Sequence, residues 1–327
     1  MNPRLPVLIH EEAAIRRAVP LDLALIDHIG AVLAQASRGG FAMPPVMQVL
    51  AEGGQTCAKG AWIAGYDRFA VKLSSIYPPT PGASQSEPNG LMCVLESATG
   101  RVRAVLLDNG YLTETRTAAA GALAARTLAA KGARRLGIVG SGKQALAQAE
   151  AIAAAMALDH ISVWARDTGR AAAAAEHIAE RTGVWVSVAA SIAALVADSD
   201  IAVTTTTARE PVLGAEVLRP GLLVIAMGSD TPGKRELDPA LVRGCDLYIA
   251  DNFDQCARLG ELQGLDRETL RRTAELGPVL AGLAAGRTAG SECIVADLTG
   301  LGLQDTAIAL FAMDRLGAGA EEGTAEQ

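Results

Sequence analysis

The residues of this chain with the most obvious chemical potential begin at a glycine turn. Gly140-Ser141-Gly142-Lys143-Gln144-Ala145 follows the apolar run Leu136-Gly137-Ile138-Val139 and opens an alanine-rich amphipathic stretch, after which comes a second apolar run at 161–165. Strand, glycine turn, helix and strand at this spacing make the first half of a dinucleotide-binding βαβ unit. Gly140 allows a tight turn, and Gly142 lets the backbone approach a pyrophosphate whose charge the helix N-terminus favours. Ala145 is small enough for close packing of helix on strand. A purely structural glycine turn is the competing reading, because small residues are abundant here. Thr204, Thr205 and Thr206, after the run 201–203, put small hydroxyls where the adenosine half of a dinucleotide passes, although threonines often end strands. At the end of the second run, Arg166 suits a 2′-phosphate and Asp167 suits a ribose diol, which leaves NAD and NADP both open.

Three further residues could act on a substrate. Lys72 interrupts the apolar run Phe69-Ala70-Val71-Lys72-Leu73, either on the solvent face of a strand or as an ammonium held in a cleft for a carboxylate. Arg116 falls in the expected first turn of a helix, where the dipole disfavours a cation unless a bound anion offsets the cost; the alternative is an arginine splayed into solvent. Gly228, Ser229 and Asp230 sit in a loop after an apolar strand, where parallel sheets form their ligand crevice. Asp230 there could be an acid, a base or a countercharge for an iminium, or else an ordinary Asx turn before Thr231-Pro232-Gly233. Asp238 before Pro239 reads as a helix N-cap.

These residues need two kinds of scaffold. Val7-Leu8-Ile9 reads as a strand, 21–36 as a helix, and 44–108 as short strands at 45–50, 57–63, 69–73, 91–95 and 102–107. Turn chemistry at 78–82 and at Asn89-Gly90 separates them, which implies an antiparallel α+β region. A helix over 118–130, capped by Thr113 or Thr115, leads onward. Apolar strands at 185–188, 192–197, 201–204, 222–227 and 247–250 then alternate with helices, implying a parallel sheet covered on both faces. Residues 251–276 read as helical, 297–302 as a turn-rich return, 304–316 as a last helix and 317–327 as a frayed tail. The expected class is α/β, a Rossmann doubly wound parallel sheet plus an α+β antiparallel domain for substrate and dimerisation. The boundaries place 1–117 and 299–327 in the substrate domain and 118–298 in the dinucleotide domain.

Composition narrows the function. The chain has 327 residues, half of them hydrophobic, enough for two cores. Its net charge of −7 and lack of a basic run argue against a nucleic-acid partner. The longest uncharged run, 182–197, has 16 residues, too short for a membrane span. Five scattered cysteines and no signal peptide point to a reducing cytoplasm, and four histidines in no ligand array give no metal site.

The run 69–73, the stretch Gly110-Tyr111-Leu112-Thr113-Glu114-Thr115-Arg116-Thr117, the glycine turn at 140–145 and Gly228-Ser229-Asp230-Thr231-Pro232-Gly233-Lys234-Arg235-Glu236 together resemble the ornithine cyclodeaminase/μ-crystallin family, from about Val19 to Leu316. Residues 258–262 and 296–309 are most similar to its branch holding the ectoine-utilisation cyclodeaminase-like protein and iminosuccinate reductase. The resemblance implies a homodimer sharing a β-barrel, a Rossmann domain binding NAD(P)H, and a small amino-acid or imine substrate. It assigns Lys72 and Arg116 to the substrate carboxylate and Asp230 to acid/base work. Relatives place a further arginine after the proline-rich segment 43–45; here that neighbourhood holds Gln48, which brings no charge. The expected activity is reduction of a small imine such as iminosuccinate. The alternatives are a cyclodeaminase with catalytic NAD, and a non-catalytic dinucleotide- and ligand-binding protein.

Overall fold

The structure, a computed structural model, describes residues 6–77 and 89–325, and side chains as far as residue 317. The alternating N-terminal pattern forms β1 (Leu8–Glu11), α1 (Glu12–Ala18), α2 (Leu23–Gly39), β2 (Phe41–Ala42), β3 (Met47–Ala51), β4 (Gly54–Ile63), β5 (Arg68–Ile76), β6 (Asn89–Glu96), β7 (Val102–Leu107) and α3 (Tyr111–Leu128). There follow β8 (Arg135–Val139), α4 (Lys143–Ala155), β9 (His160–Trp164), α5 (Thr168–Thr182), β10 (Trp185–Val188), α6 (Ile192–Ala197), β11 (Ile201–Thr204) and β12 (Leu223–Ala226). The chain closes with α7 (Pro239–Gly244), β13 (Leu247–Ala250), α8 (Phe253–Leu259), β14 (Thr273–Glu275), α9 (Leu276–Leu280), β15 (Ile294–Asp297) and α10 (Gly302–Ala325). Two compact units result, Met1–Arg116 with Leu301–Gln327, and Thr117–Gly300.

In the first unit the sheet runs β1-β7-β6-β5-β4-β2, with β3 also on β4. All pairs are antiparallel except β1 with β7, which is parallel. One face is apolar and buried through Ala61, Ile63, Ala70, Met92, Val94, Ala104 and Leu106, and α10 packs on β4, β5 and β6. Two features seat that helix. The Thr306 hydroxyl donates to Ala61 O and accepts from Ala70 N, so it bridges β4 and β5. Gly302 lies so close to β4 that a Cβ there would stand 2.4 Å from Gly60 O. The opposite sheet face leaves Ile9, Met47, Val49, Trp62 and Leu73 exposed.

In the second unit eight parallel strands order as β10-β9-β8-β11-β12-β15-β13-β14. Strands β11, β12, β13 and β15 are buried at every residue, as a sheet covered on both faces requires. The strand order reverses direction at β8 and β11, which is the Rossmann arrangement, with β15 returning between β12 and β13.

Several local expectations change. Residues 192–197 form a helix rather than a strand, because Ser191 caps them by accepting from Ala194 N. The helix expected at 118 starts at Tyr111, and its cap is neither Thr113 nor Thr115. Asp108 Oδ2 accepts from Leu112 N instead, so Arg116 lies past the first turn and feels little of the dipole. Asn89-Gly90 pairs with Ser75 and Ser74 inside the sheet rather than turning. The turn expected at 78–82 lies outside the described residues. Of the 251–276 stretch only 253–259 and Leu276, which opens α9, are α-helical, since Gly260 and Gly264 interrupt it. The final helix continues to Ala325, its alanine and glutamate content favouring helix over a frayed tail. Asp238 does cap α7, with Pro239 in the first turn.

Since the atoms facing Gly302 are backbone, Gly302→Ala is expected to cost about 1–3 kcal/mol of stability by overpacking. Gly142→Ala, with no atom within 4 Å of the new Cβ, should leave the unliganded protein's stability nearly unchanged. Equal urea midpoints for the two variants would refute this seating of α10.

Candidate active site

Strand β5 alternates, so Ala70, Lys72 and Ser74 share the face that meets α10. Lys72 is buried there, and its Nζ donates to Asp305 Oδ1 at 2.9 Å. Arg116, on α3, donates from Nε to the same oxygen at 3.0 Å and from Nη1 to Gln304 Oε1 at 3.0 Å. The sequence therefore singled out two cations that the fold brings together, but missed the carboxylate that gathers them. Its signal was the polar run Gln304-Asp305-Thr306 directly before the apolar stretch 307–313 of the same helix. Asp305 Oδ2 and Gln304 Nε2 are buried without a hydrogen-bond partner.

Electrostatics follow from this crowding. Burial pushes the Lys72 ammonium down to about 7; Asp305 opposes that shift, while Arg116 and Lys59 add to it. Asp305 is also buried, yet Lys72 and Arg116 hold its carboxyl below the usual range. The Lys72 shift is mainly a consequence of burial, whereas the Asp305 shift expresses two close cations sharing one carboxylate. Lys59 stands directly opposite Lys72 in the β4–β5 register. Asp108, pushed up to about 6 mainly by burial, is the second acid of the neighbourhood. Two cations on the single Asp305 carboxylate leave a positive excess in a mostly dry setting, and Lys59 adds to the positive potential at Lys72. Gln48 shares the Lys72 face through the register Gln48–Cys57–Ser74, but two strands away.

In the second unit, a cavity of about 640 Å³ opens at the carboxyl ends of β8, β9 and β11, the switch point of the sheet. Gly140, Ser141, Gly142, Arg166, Asp167, Thr205 and Thr206 line it. Gly140 has φ 138°, and a Cβ there would stand 2.3 Å from Thr205 Oγ1. Gly142 differs. It is the N-cap of α4, makes no side-chain cap, and faces open space, so the first amides of a 13-residue helix are left for a ligand. A dinucleotide pyrophosphate fits that cradle.

The remaining residues of the expected set support the site without lining this cavity. Lys143 is exposed, Gln144 accepts from Gln148, and Ala145 is buried against the sheet. Thr204 is fully buried, and its hydroxyl donates to Glu236 Oε2 at 2.6 Å. Glu236 also accepts from Thr206 N at 2.6 Å and Gly228 N at 2.7 Å, fixing the loops after β11 and β12 together. Ser229 donates to Lys234 O, and Asp230, in the same loop, pairs with Lys234 Nζ at 2.7 Å. Neither Glu236 nor Lys234 stood out as functional in the sequence, though both belong to the 228–236 stretch.

The model of the ornithine cyclodeaminase/mu-crystallin family matches residues 7–320. The chain belongs to that family. Among its relatives, an uncharacterised cyclodeaminase of Sinorhizobium fredii is 41% identical over 93% of this chain and 94% of that one. The iminosuccinate reductase of Paracoccus denitrificans is 33% identical over 88% and 89%. Its crystal structure with NAD+ matches with a TM-score of 0.86 and 30% identity, covering 96% and 97% of the chains. An archaeal alanine dehydrogenase dimer with bound NAD gives 0.86 and 27%, with the same coverage. The ornithine cyclodeaminase/mu-crystallin family thus carries reductase, dehydrogenase and cyclodeaminase names on one fold.

Asp305→Asn leaves two buried cations without their shared partner and is expected to cost about 3–5 kcal/mol. In a Lys72→Met background the same change should cost at least ~1 kcal/mol less, within the usual range of coupling between contacting residues. Strictly additive denaturation energies in this cycle would show that the two groups do not share charge.

Proposed function

We propose that this protein is an NAD(P)H-dependent imine reductase acting on a small amino-acid-derived imine, with a dicarboxylate of the iminosuccinate type as the preferred substrate. The observation that carries the proposal is the buried Lys72–Asp305–Arg116 cluster, whose positive excess suits a carboxylate. Lys72 and Arg116 hold the α-carboxylate and thereby fix the position of the imine carbon, and such positioning is a large part of catalysis. Gln48 lies on the same sheet face two strands from Lys72, and as a neutral group it leaves recognition of a short substrate to the cations. The chemistry that a reduced nicotinamide dinucleotide supplies when bound is hydride delivery to a C=N carbon. It is held by Gly140, Ser141 and Gly142 at the pyrophosphate and by the Thr205–Thr206 wall. Asp230 stabilises the positive charge on nitrogen and manages the proton that accompanies reduction.

A cyclodeaminase would use the same three groups but must also hold a second ammonium of ornithine or diaminobutyrate. Lys59, opposite Lys72, raises the positive potential at the site and opposes that cation while favouring a second carboxylate. This favours the reductase.

With 2-oxo acids and ammonia, NAD(P)H absorbance is expected to fall in proportion to substrate, fastest with oxaloacetate. Because the Lys72 ammonium loses its proton through about pH 7, kcat/KM should fall as pH rises through that region. Lys72→Arg should move this limb upward, since a guanidinium does not titrate there. Asp230→Asn should lower kcat by ~10²-fold or more. Ammonia release from diaminobutyrate without net dinucleotide consumption would establish the cyclodeaminase instead, and no turnover of any of these substrates would favour a binding protein.

The exposed apolar face of the first unit's sheet also supports a homodimer, in which Ile9, Met47, Trp62 and Leu73 meet a second copy. Light scattering should give twice 33.6 kDa at micromolar concentration. A monomer mass would refute it.

A further inference from the structure

The dinucleotide cavity carries more positive charge than its glycine turn needs. Arg166 follows β9, Arg170 lies in the first turn of α5, and Arg209 lies in the loop after β11; all three line the cavity. Among the described residues, none of the three guanidiniums has a hydrogen bond or ion pair. Five other arginines of this unit are used differently. Arg134, Arg135, Arg181, Arg271 and Arg272 each hold a carboxylate. Three unpaired guanidiniums lining one cavity give it a positive potential that an anion offsets, and a phosphomonoester offers three acceptor oxygens and nearly two charges.

The acid that would select the unphosphorylated ribose is badly placed for that work. Recognition of a ribose diol needs a carboxylate free to accept from its hydroxyls. Asp167 is the N-cap of α5, and its Oδ1 accepts from Arg170 N at 2.9 Å. Only its other oxygen is left to face the cavity. Glu210 is the second acid in the lining, so three cations still outnumber two anions.

We propose that Arg166, Arg170 and Arg209 form a receptor for the 2′-phosphate of the dinucleotide, making the protein selective for NADP(H) over NAD(H). The inference rests on the dinucleotide reading of the preceding subsection and goes beyond it by naming the form bound and two residues, Arg170 and Arg209, that its motif does not contain.

Titrating the purified protein with NADPH and with NADH, followed by the fluorescence enhancement of the nicotinamide, tests it without turnover. NADPH should bind ~10-fold or more tightly than NADH, the yield of even one charge-assisted hydrogen bond. Arg166→Ala and Arg170→Ala should each weaken NADPH by ~10–100-fold and NADH by less than about 3-fold. Arg209→Ala should act in the same direction. Adenosine 2′,5′-bisphosphate should displace NADPH better than adenosine 5′-monophosphate does. Equal binding of the two dinucleotides, tighter NADH, or variants that weaken both alike would overturn the 2′-phosphate receptor and leave the dinucleotide reading standing. Failure of both to bind would overturn the dinucleotide reading and this inference with it.

Discussion

One oxygen atom, Asp305 Oδ1, receives both the Lys72 ammonium and the Arg116 guanidinium. Moving each ion out of water costs several kcal/mol, and one carboxylate cannot neutralise two cations. The cluster is therefore tolerated, not optimal. It persists because the surrounding contacts fix where Asp305 can be. Gly302 touches the backbone of Gly60, Thr306 joins β4 to β5, and His28 bonds to Ala307 O, all within one stretch of α10. Those neighbours hold the helix in register whether or not the charges are content. A binding site needs such over-determination, since an arrangement satisfied in the free protein has less to gain from a ligand.

The second unit solves a related problem with acids. Parallel strands end in loops whose amides have no ladder partners, and here buried carboxylates serve as those partners. Glu236 holds the loops after β11 and β12, Glu261 accepts from Glu236 N and Leu237 N, and Asp297 Oδ2 accepts from Glu261 N. Asp251 accepts from Gly300 N and Asn252 N in the same way. Burial raises all four acids, Glu261 to about 7, because few cations accompany them. Short bonds to backbone amides keep them useful despite that. The loop carrying Asp230 and the cavity wall at Thr206 are thus tied to one carboxylate, which limits independent movement of either.

The parts legible in the sequence were those with a period or a spacing. The glycine turn at 140–145, the parallel order of the apolar runs and the cap at Asp238 depend on near neighbours, and local pattern contains them. The helix at 192–197 was misread because six small apolar residues suit either state, and the decisive signal is a single cap at Ser191. The start of α3 was misplaced because Asp108 caps it from four residues away. Asp305 could not be found by proximity at all, being 233 positions from Lys72. Pattern places a polar residue on a helix, but only tertiary packing says which cation it meets. Arg170 and Arg209 were missed for the same reason, since their common cavity joins the ends of two separate strands.

Charge position, more than charge count, distinguishes this site from one with an arginine at the Gln48 position. The chain as a whole is acidic, yet each place read as binding an anion has a local positive excess. Gln48 lies two strands from Lys72, which at roughly 5 Å per strand is about 10 Å across the sheet. Lys59 lies on the adjacent strand directly opposite Lys72, one spacing away. Like charges so placed destabilise the sheet. A short dicarboxylate held at Lys72 and Arg116 could bring its second carboxylate within the field of Lys59, but could not span to Gln48. Moving the positive charge from the outer strand to the neighbouring one shortens the distance over which a second acid is recognised. On the proposed reading that selects compact diacid imines and disfavours long or cationic side chains, without altering the groups that hold the α-carboxylate.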